Sequence, residues 1–305
     1  MLLKDFIGTS TGKLVDIYPV QEARNLVALL SENFFGVKNY THIINPDYTV
    51  EGPSLEMAQS AVERLVSGEP LQYILGYAEF CGLQFTVNEN VLIPRQETEL
   101  LCRIGIEEAG RRMRLRKAFG KSASPVRILD LCTGSGCIAW TMALSVPGVE
   151  VQAVDISEAA LEVAKNQPFA KQASRDGAKV PQFSLMDVLD TDQECDFEPF
   201  DIILSNPPYV MDKERALMQN NVLEHEPAQA LFVPDNDPLI FYKAIRIWAD
   251  RLLVKGGTVL MEINEALGRD TAALFQGNIS DKVEVIDDLF GKNRIVKYCT
   301  SIGVE

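Results

Sequence analysis

A strand, a glycine-containing turn and the start of a helix follow one another in residues 127–145. Gly134 and Gly136 allow the backbone to turn sharply and to approach a ligand closely. The helix that begins near Cys137 presents unpaired backbone N–H groups at its amino end. The segment therefore predicts a strand-to-helix connection that binds a ligand at its turn.

Strands and helices alternate from about Leu92 onward. Short apolar runs separated by helical segments indicate a parallel sheet with helices on both faces. We expect an α/β fold, with a doubly wound, mostly parallel, seven-stranded Rossmann-like sheet whose last two strands form a hairpin. The expected strands are 127–130, 150–154, 182–186, 201–205, 257–263, 283–287 and 294–299, and the expected helices lie near 96–109, 137–145, 157–166, 239–254 and 265–275.

The preceding residues form two further parts. The apolar spacing between about Val20 and Gly68 is helical, and residues 72–91 alternate as in a β-hairpin. We expect an N-terminal helical domain that docks a protein substrate, a hairpin linker and a catalytic α/β domain, at 1–70, 71–92 and 93–305. A helical domain that only stabilises its neighbour is an equally good interpretation.

The charge balance restricts the partners. With 43 acidic and 29 basic residues the formal net charge is −14, which argues against general affinity for a nucleic-acid backbone. The basic stretch 111–121 is typical of a solvated helix end and loop. The amino terminus lacks a signal-peptide pattern, and no run approaches ~18 apolar residues. We therefore expect a cytoplasmic protein that contacts neither nucleic acid nor membrane.

The cysteine and histidine residues offer few possible ligands for a metal ion. The six cysteines form no C-x-x-C pair, and His42 and His225 are the two histidines. Such cysteines are typical of reduced thiols in a reducing compartment. We expect no metal.

Asp155 follows the next apolar run, 19 residues beyond Gly136. A carboxylate at this spacing reaches the ribose hydroxyls of a bound nucleoside. The same spacing fits a dinucleotide fingerprint, so this motif does not separate a nicotinamide cofactor from S-adenosylmethionine. A purely structural interpretation is that Asp155 caps the helix that begins near Ser157.

An Asn-Pro-Pro-Tyr tetrad at 206–209 directly follows the apolar run 201–205. The two prolines make the turn stiff, and the Pro207 carbonyl stays free to accept a hydrogen bond. Asn206 offers a second acceptor, and the ring of Tyr209 is expected to cover a planar group. The tetrad therefore predicts chemistry on the nitrogen of a flat amide or base, whereas the plain alternative is a rigid turn at a strand end.

These motifs resemble class I S-adenosylmethionine-dependent methyltransferases that act on nitrogen. Four further segments are similar to the PrmC/HemK family, which methylates the side-chain amide (N5) of the glutamine in the Gly-Gly-Gln loop of peptide chain release factors. They are 68–80 (G-x-P-x-x-Y-x-x-G…EF), 92–99 (L-I-P-R-x-x-T-E), 226–231 (E-P-x-x-A-L) and 288–294 (D-L-x-G-x-x-R). The resemblance runs from about residue 20 to 300.

The resemblance implies S-adenosyl-L-methionine as cofactor, S-adenosyl-L-homocysteine as product, no metal and a release factor as protein partner of a monomeric enzyme. It also implies the roles of the site residues. The methionine part of the cofactor is surrounded by Cys132, Thr133, Gly134, Ser135 and Gly136, its ribose is bound by Asp155, its adenine is flanked by Asp187 and Val188, and the substrate amide is held by Asn206, Pro207, Pro208 and Tyr209, with Asn206 also at the cofactor.

Three positions depart from the family pattern. Cys132 stands where the family usually has glycine, which reduces backbone freedom at the first turn. Val188 stands where many relatives carry an aromatic residue, so a weaker adenine stack is expected. Asn264 replaces the glycine of an E-I-G sequence and affects the local turn.

Other functions stay open at this point. A nucleic-acid N-methyltransferase acting on adenine N6 or an RNA base shares the tetrad, but the charge argues against it. A nicotinamide-dependent oxidoreductase and a non-enzymatic adaptor leave the tetrad unexplained. Arg95, Thr98 and Glu99 suit either the start of a helix or ligand contact, and 224–226 suits either an exposed loop or a lid over the substrate.

Overall fold

The computed structural model describes residues 1–120, 124–277 and 281–301. The chain divides into two compact units. The first comprises Met1–Tyr77 and Gln219–His225, and the second comprises Ala78–Met218 and the chain from Glu226 onward.

The described residues form helices and strands with the following bounds. The helices are α1 (Leu3–Leu14), α2 (Val20–Phe35), α3 (Thr41–Ile44), α4 (Gly52–Val66), α5 (Leu71–Leu75), α6 (Gln96–Ala118), α7 (Cys137–Ser145), α8 (Glu158–Lys165), α9 (Ala170–Asp176), α10 (Asn220–His225), α11 (Ile240–Leu252) and α12 (Gly268–Leu274). The strands are β1 (Tyr77–Phe80), β2 (Leu83–Thr86), β3 (Arg127–Leu131), β4 (Glu150–Asp155), β5 (Gln182–Leu185), β6 (Phe200–Ser205), β7 (Val210–Met211), β8 (Phe232–Val233), β9 (Leu253–Glu262), β10 (Lys282–Asp287) and β11 (Asn293–Cys299).

The first unit has a helical core of its own. Its buried apolar side chains come from α1, α2 and α4 and include Phe6, Leu30 and Leu65. The compact unit continues past residue 70, because α5 contributes Ile74 to this core. Helix α10, which lies far along the chain, also belongs to it. The functional division into docking domain, linker and catalytic domain remains a prediction.

The second unit is built on a seven-stranded sheet with the order β10-β11-β9-β6-β3-β4-β5. Strands β9, β6, β3, β4 and β5 are parallel, and β11 runs antiparallel to both β9 and β10. Two apolar layers, one against each face, contain Trp140 and Trp248. The predicted α/β fold and its terminal hairpin are confirmed. The strand order reverses between β3 and β6, which is where such sheets bind ligands.

The predicted hairpin is formed by β1 and β2, which a two-residue turn connects. Cys81 and Gly82 in this turn both have positive φ, at 50° and 73°, as the preferred two-residue hairpin turn requires. Residues 71–75 lie in the predicted hairpin linker but are helical instead. This helix ends at Gly76, whose N–H donates to the Gln72 carbonyl at 2.8 Å.

The basic stretch after residue 110 was predicted to be solvated, and this is wrong for two arginines. Arg112 is 9% exposed and donates to Glu108, the Gly256 carbonyl and Thr258. Arg116 donates to Asp201 at 2.6 Å. The helix extends to Ala118 because these side chains reach acids in the interior. Lys121 lies outside the described residues.

Glu108 is the centre of this ion network. Burial acts to raise its pKa, but the hydrogen bond from Arg111 and the charges of Arg112 and Arg111 lower the pKa of Glu108 to about 2. A buried carboxylate that stays ionised in this way depends on its cationic partners.

In the part of the chain that the structure describes, no helix is both long and apolar enough to cross a lipid bilayer.

We expect Arg112→Met to lower the free energy of unfolding of the second unit by about 3 kcal/mol or more, because Glu108, at 2.9 Å from Arg112, and Asp201, at 3.6 Å from it, lose a buried cation. Urea denaturation followed by tryptophan fluorescence measures this, since Trp140 and Trp248 both lie in that unit. The control is Arg175→Met, whose side chain is 74% exposed and pairs with the exposed Asp176, so its loss should leave the free energy of unfolding nearly unchanged. Equal losses in the two variants would contradict the burial argument.

Candidate active site

A cavity lies at the carboxyl ends of the parallel strands, where β3 adjoins β6. It brings together nine of the predicted site residues: Cys132, Thr133, Gly134, Ser135, Asp155, Asp187, Val188, Asn206 and Pro208. Gly136, Pro207 and Tyr209 do not line it. The segment 90–98 and the segment 227–230 form further parts of the wall.

The loop after β3 is tightly held by backbone contacts. Thr133 N–H donates to the Val154 carbonyl at 3.0 Å, and Gly136 N–H donates to the Thr133 carbonyl at 2.9 Å. A Cβ at Gly134 would meet no atom within 4 Å, so this turn borders open space. A Cβ at Gly136 would lie 3.0 Å from the Ala164 Cβ. Gly134 thus allows ligand approach, and Gly136 allows the loop to pack on α8.

Asp155 holds the same loop from the end of β4. Its Oδ2 accepts from Gly134 N–H at 2.8 Å, and its Oδ1 accepts from Ser157 N–H at 3.0 Å. Burial raises the pKa of Asp155, although these backbone donors oppose the rise. Each carboxylate oxygen retains a second lone pair. The side chain can therefore clamp the loop and still accept from ligand hydroxyls.

Cys132 adopts the left-handed conformation, with φ of 61°. The turn therefore has the geometry that glycine would adopt without strain. In a residue with a Cβ this conformation costs about 1 kcal/mol. Burial raises the pKa of the Cys132 thiol well above its ordinary value. The side chain is therefore a neutral, apolar part of the cavity wall.

The far wall of the cavity is apolar. Val188 is 3% exposed and its carbonyl accepts from Trp248 Nε1 at 2.9 Å. Phe241, from the first turn of α11, lines the same cavity and was not predicted from the sequence. Asp187 lies beside them, with Oδ1 accepting from Leu189 N–H at 2.8 Å. An aromatic side chain is thus present in a wall where Val188 provides none.

The tetrad is fixed at its Tyr209 end. Tyr209 N–H and Val210 N–H both donate to the Leu231 carbonyl, at 3.2 and 2.9 Å, and β7 pairs with β8 directly beyond. The Tyr209 hydroxyl donates to Glu262 at 2.9 Å. This bond anchors the ring away from the cavity wall, so the residue supports the turn from behind.

Glu262, the acid of the E-I-G-like segment, has no role predicted from the sequence and is fully buried at the end of β9. Its Oε2 accepts from the Thr98 hydroxyl at 2.6 Å, and the Thr98 oxygen accepts from Asn206 Nδ2 at 3.1 Å. Burial raises the pKa of Glu262, against the effect of the Thr98 and Tyr209 hydrogen bonds. The sequence signal for this buried role is an acidic residue within the apolar run 257–263.

Two of the sequence motifs meet at the cavity wall. Glu226 accepts from Ile93 N–H at 3.1 Å and from Arg95 at 2.6 Å, across more than 130 residues of chain. Its side chain is 1% exposed. Glu226 is therefore a buried anchor, and the interpretation of 224–226 as an exposed loop is wrong for this residue.

Within residues 1–120, 124–277 and 281–301, no group of three or more histidine, cysteine, aspartate or glutamate side chains is arranged to hold a metal ion.

The fold and site define a methyltransferase, and comparison with known proteins agrees. The model of the family described as "Methyltransferase small domain" matches residues 114–232, and that of "PrmC N-terminal domain" matches residues 11–76. A release factor glutamine methyltransferase of Bacteroides thetaiotaomicron is 39% identical over 285 residues, with 93% of this chain and 95% of that protein covered. One of Flavobacterium psychrophilum is 35% identical, with 97% and 99% covered. The chain belongs to the release factor glutamine methyltransferase family.

Asp130 is fully buried in β3, two residues before the loop that begins at Cys132, and its titration gives a prediction about pH. Burial, together with the nearby Asp155 charge, raises the pKa of Asp130 to about 7, from about 3.9 in an unfolded chain. The folded protein therefore binds the extra proton between these values, and the stability that this proton contributes is lost as the pH rises from about 4 to about 7.

We expect Asp130→Asn, which stays neutral, to gain stability relative to the original chain by a few kcal/mol between pH 4 and pH 8, at about 1.4 kcal/mol per pKa unit. Denaturant unfolding of both ligand-free proteins at the two pH values measures this difference. A difference that does not change with pH would show that Asp130 is ionised throughout.

Proposed function

We propose that this protein transfers a methyl group from S-adenosylmethionine to the side-chain amide nitrogen, N5, of the glutamine in the Gly-Gly-Gln loop of peptide chain release factors. The observation that carries the proposal is the position of Asn206 and Pro208 in one cavity with Gly134 and Asp155. A nitrogen-binding turn and a nucleoside-binding turn thus face the same space.

The cavity suits the cofactor chemically. S-adenosylmethionine supplies an electrophilic methyl group on its sulfonium sulfur. The open side of Gly134 and the loop from Cys132 to Ser135 would border its methionine part, and the remaining lone pairs of Asp155 would accept from the ribose hydroxyls. Val188 and Phe241 would enclose the adenine, with Asp187 at its edge.

The chain's groups at the tetrad suit a primary amide. An amide nitrogen is a poor nucleophile because its lone pair is delocalised into the carbonyl. No hydrogen bond among the described residues uses Asn206 Oδ1 or the Pro207 carbonyl. If each accepts one N–H of the substrate, the nitrogen is held in line with the methyl group and the positive charge that develops on it is stabilised.

In this mechanism the nitrogen releases its proton to solvent water after methyl transfer, since the alkylated nitrogen is far more acidic than the amide. Glu262, the carboxylate behind the tetrad, already accepts from Thr98 and Tyr209 and serves no abstraction step. Positioning and electrostatics therefore carry the rate.

The nearly full-length similarity to release factor glutamine methyltransferases supports a protein substrate, and the net charge of −14 weighs against DNA or RNA. We propose the first unit, matched by the PrmC N-terminal domain model, as the docking surface for the release factor. We also propose that the enzyme acts in the cytoplasm as a monomer.

The direct test is methyl transfer from labelled S-adenosylmethionine to a purified release factor. A release factor whose Gly-Gly-Gln glutamine is changed to alanine serves as the control substrate. Label that depends on this glutamine supports the proposed reaction. Equal label in both proteins would contradict the target, and label on added tRNA or DNA would favour the nucleic-acid alternative.

We expect Asn206→Ala to lower kcat on the order of 10²-fold or more while the Kd for S-adenosylhomocysteine changes little, because one acceptor for the reacting amide is lost. Asn166→Ala, at the exposed end of α8, should keep the original kcat. Methyl transfer and calorimetric titration measure the two quantities. Full turnover in Asn206→Ala would remove the tetrad from the mechanism.

A further inference from the structure

The side-chain amide of Asn206 has two ends of nearly equal shape, an oxygen that accepts and an –NH2 group that donates. Rotation by 180° exchanges them. Only the orientation with Oδ1 toward the substrate can accept an N–H from a primary amide. With the reverse orientation, two donors face each other and the nitrogen is not held.

The surroundings of Asn206 contain a group that distinguishes these orientations. Glu262 is fully buried, and as a carboxylate it can only accept hydrogen bonds. The Thr98 hydroxyl lies 2.6 Å from Glu262 Oε2. Thr98 has one hydroxyl proton, and this proton is committed to the carboxylate.

The direction of the next hydrogen bond follows from this commitment. The Thr98 oxygen has no second proton, so it can only accept from Asn206, whose Nδ2 lies 3.1 Å away. Thr98 is 2% exposed, which leaves no solvent to replace the bond. The reverse orientation of Asn206 would place two acceptors together in a buried site, which is unfavourable.

We propose that Glu262, acting through the Thr98 hydroxyl, fixes the orientation of the Asn206 amide and so presents Oδ1 to the substrate nitrogen. Thr98 and Glu262 are positioning residues in this scheme, since both act through Asn206. The Tyr209 hydroxyl, at 2.9 Å from Glu262 Oε1, holds the other carboxylate oxygen. The inference rests on the proposed function and specifies how its site selects a primary amide.

Substitution of Glu262 by glutamine is expected to reverse the direction of the hydrogen bonds that link residue 262 to Thr98 and Thr98 to Asn206. In Glu262→Gln, the new –NH2 group can donate to Thr98 while the amide oxygen still accepts from Tyr209. Thr98 then directs its proton to Asn206, which stabilises the orientation with –NH2 toward the substrate. This variant keeps the size of the side chain and its hydrogen-bonding partners.

The test compares Thr98→Val, which keeps the shape but removes the hydroxyl, with Thr98→Ser, which keeps the hydroxyl. We expect kcat for methylation of the release factor to fall about 10- to 100-fold in Thr98→Val and to stay within about threefold in Thr98→Ser. Glu262→Gln should fall at least as far as Thr98→Val. The Kd for S-adenosylhomocysteine should stay within about threefold in all three, which also shows that each variant folds.

A double-mutant cycle shows whether Thr98 acts through Asn206. Added to Asn206→Ala, the Thr98→Val substitution should lower kcat no further. An equal further loss, an inactive Thr98→Ser variant, or full turnover in both Thr98→Val and Glu262→Gln would overturn the inference while the proposed function stands. Failure of the original chain to methylate any release factor would overturn the proposed function, and this assignment with it.

Discussion

The buried carboxylate of Glu262 is the constraint on which the Asn-Pro-Pro-Tyr turn depends. Its two oxygens accept from Thr98, at the start of α6, and from Tyr209, the last residue of the tetrad. A buried charge is costly unless hydrogen bonds satisfy it, so both side chains are held where the carboxylate needs them. The sheet thereby fixes, from the end of β9, a turn that follows the neighbouring strand β6.

The segment 92–98 reaches the cavity through a second buried carboxylate. Glu226 binds both the backbone of Ile93 and the side chain of Arg95, while Thr98 contacts Asn206. The wall, the tetrad and the sheet are therefore joined by charged or polar contacts between residues far apart in sequence. Burial makes each of these contacts sensitive to loss of one partner.

The strands and cavity residues that short-range sequence patterns encode were predictable from the sequence. The seven strands of the large sheet were found because each is an apolar run with a turn beside it, and the cavity residues from Cys132 to Asn206 follow from motif spacing. Helix α1 was missed because Gly8, Gly12 and the intervening threonines and serine are poor helix formers, and burial of Phe6 outweighs that propensity. The roles of Arg112 and Glu262 depend on partners more than 100 residues away, which no local pattern reveals.

The central claim is that Asn206 Oδ1 and the Pro207 carbonyl hold the glutamine amide. The most direct measurement is a crystal structure of the protein with S-adenosylhomocysteine and a release factor. The account predicts the glutamine nitrogen within about 3 Å of both acceptors, with Asn206 Nδ2 still donating to Thr98. A glutamine nitrogen bound elsewhere, or an Asn206 side chain turned away from Thr98, would contradict it.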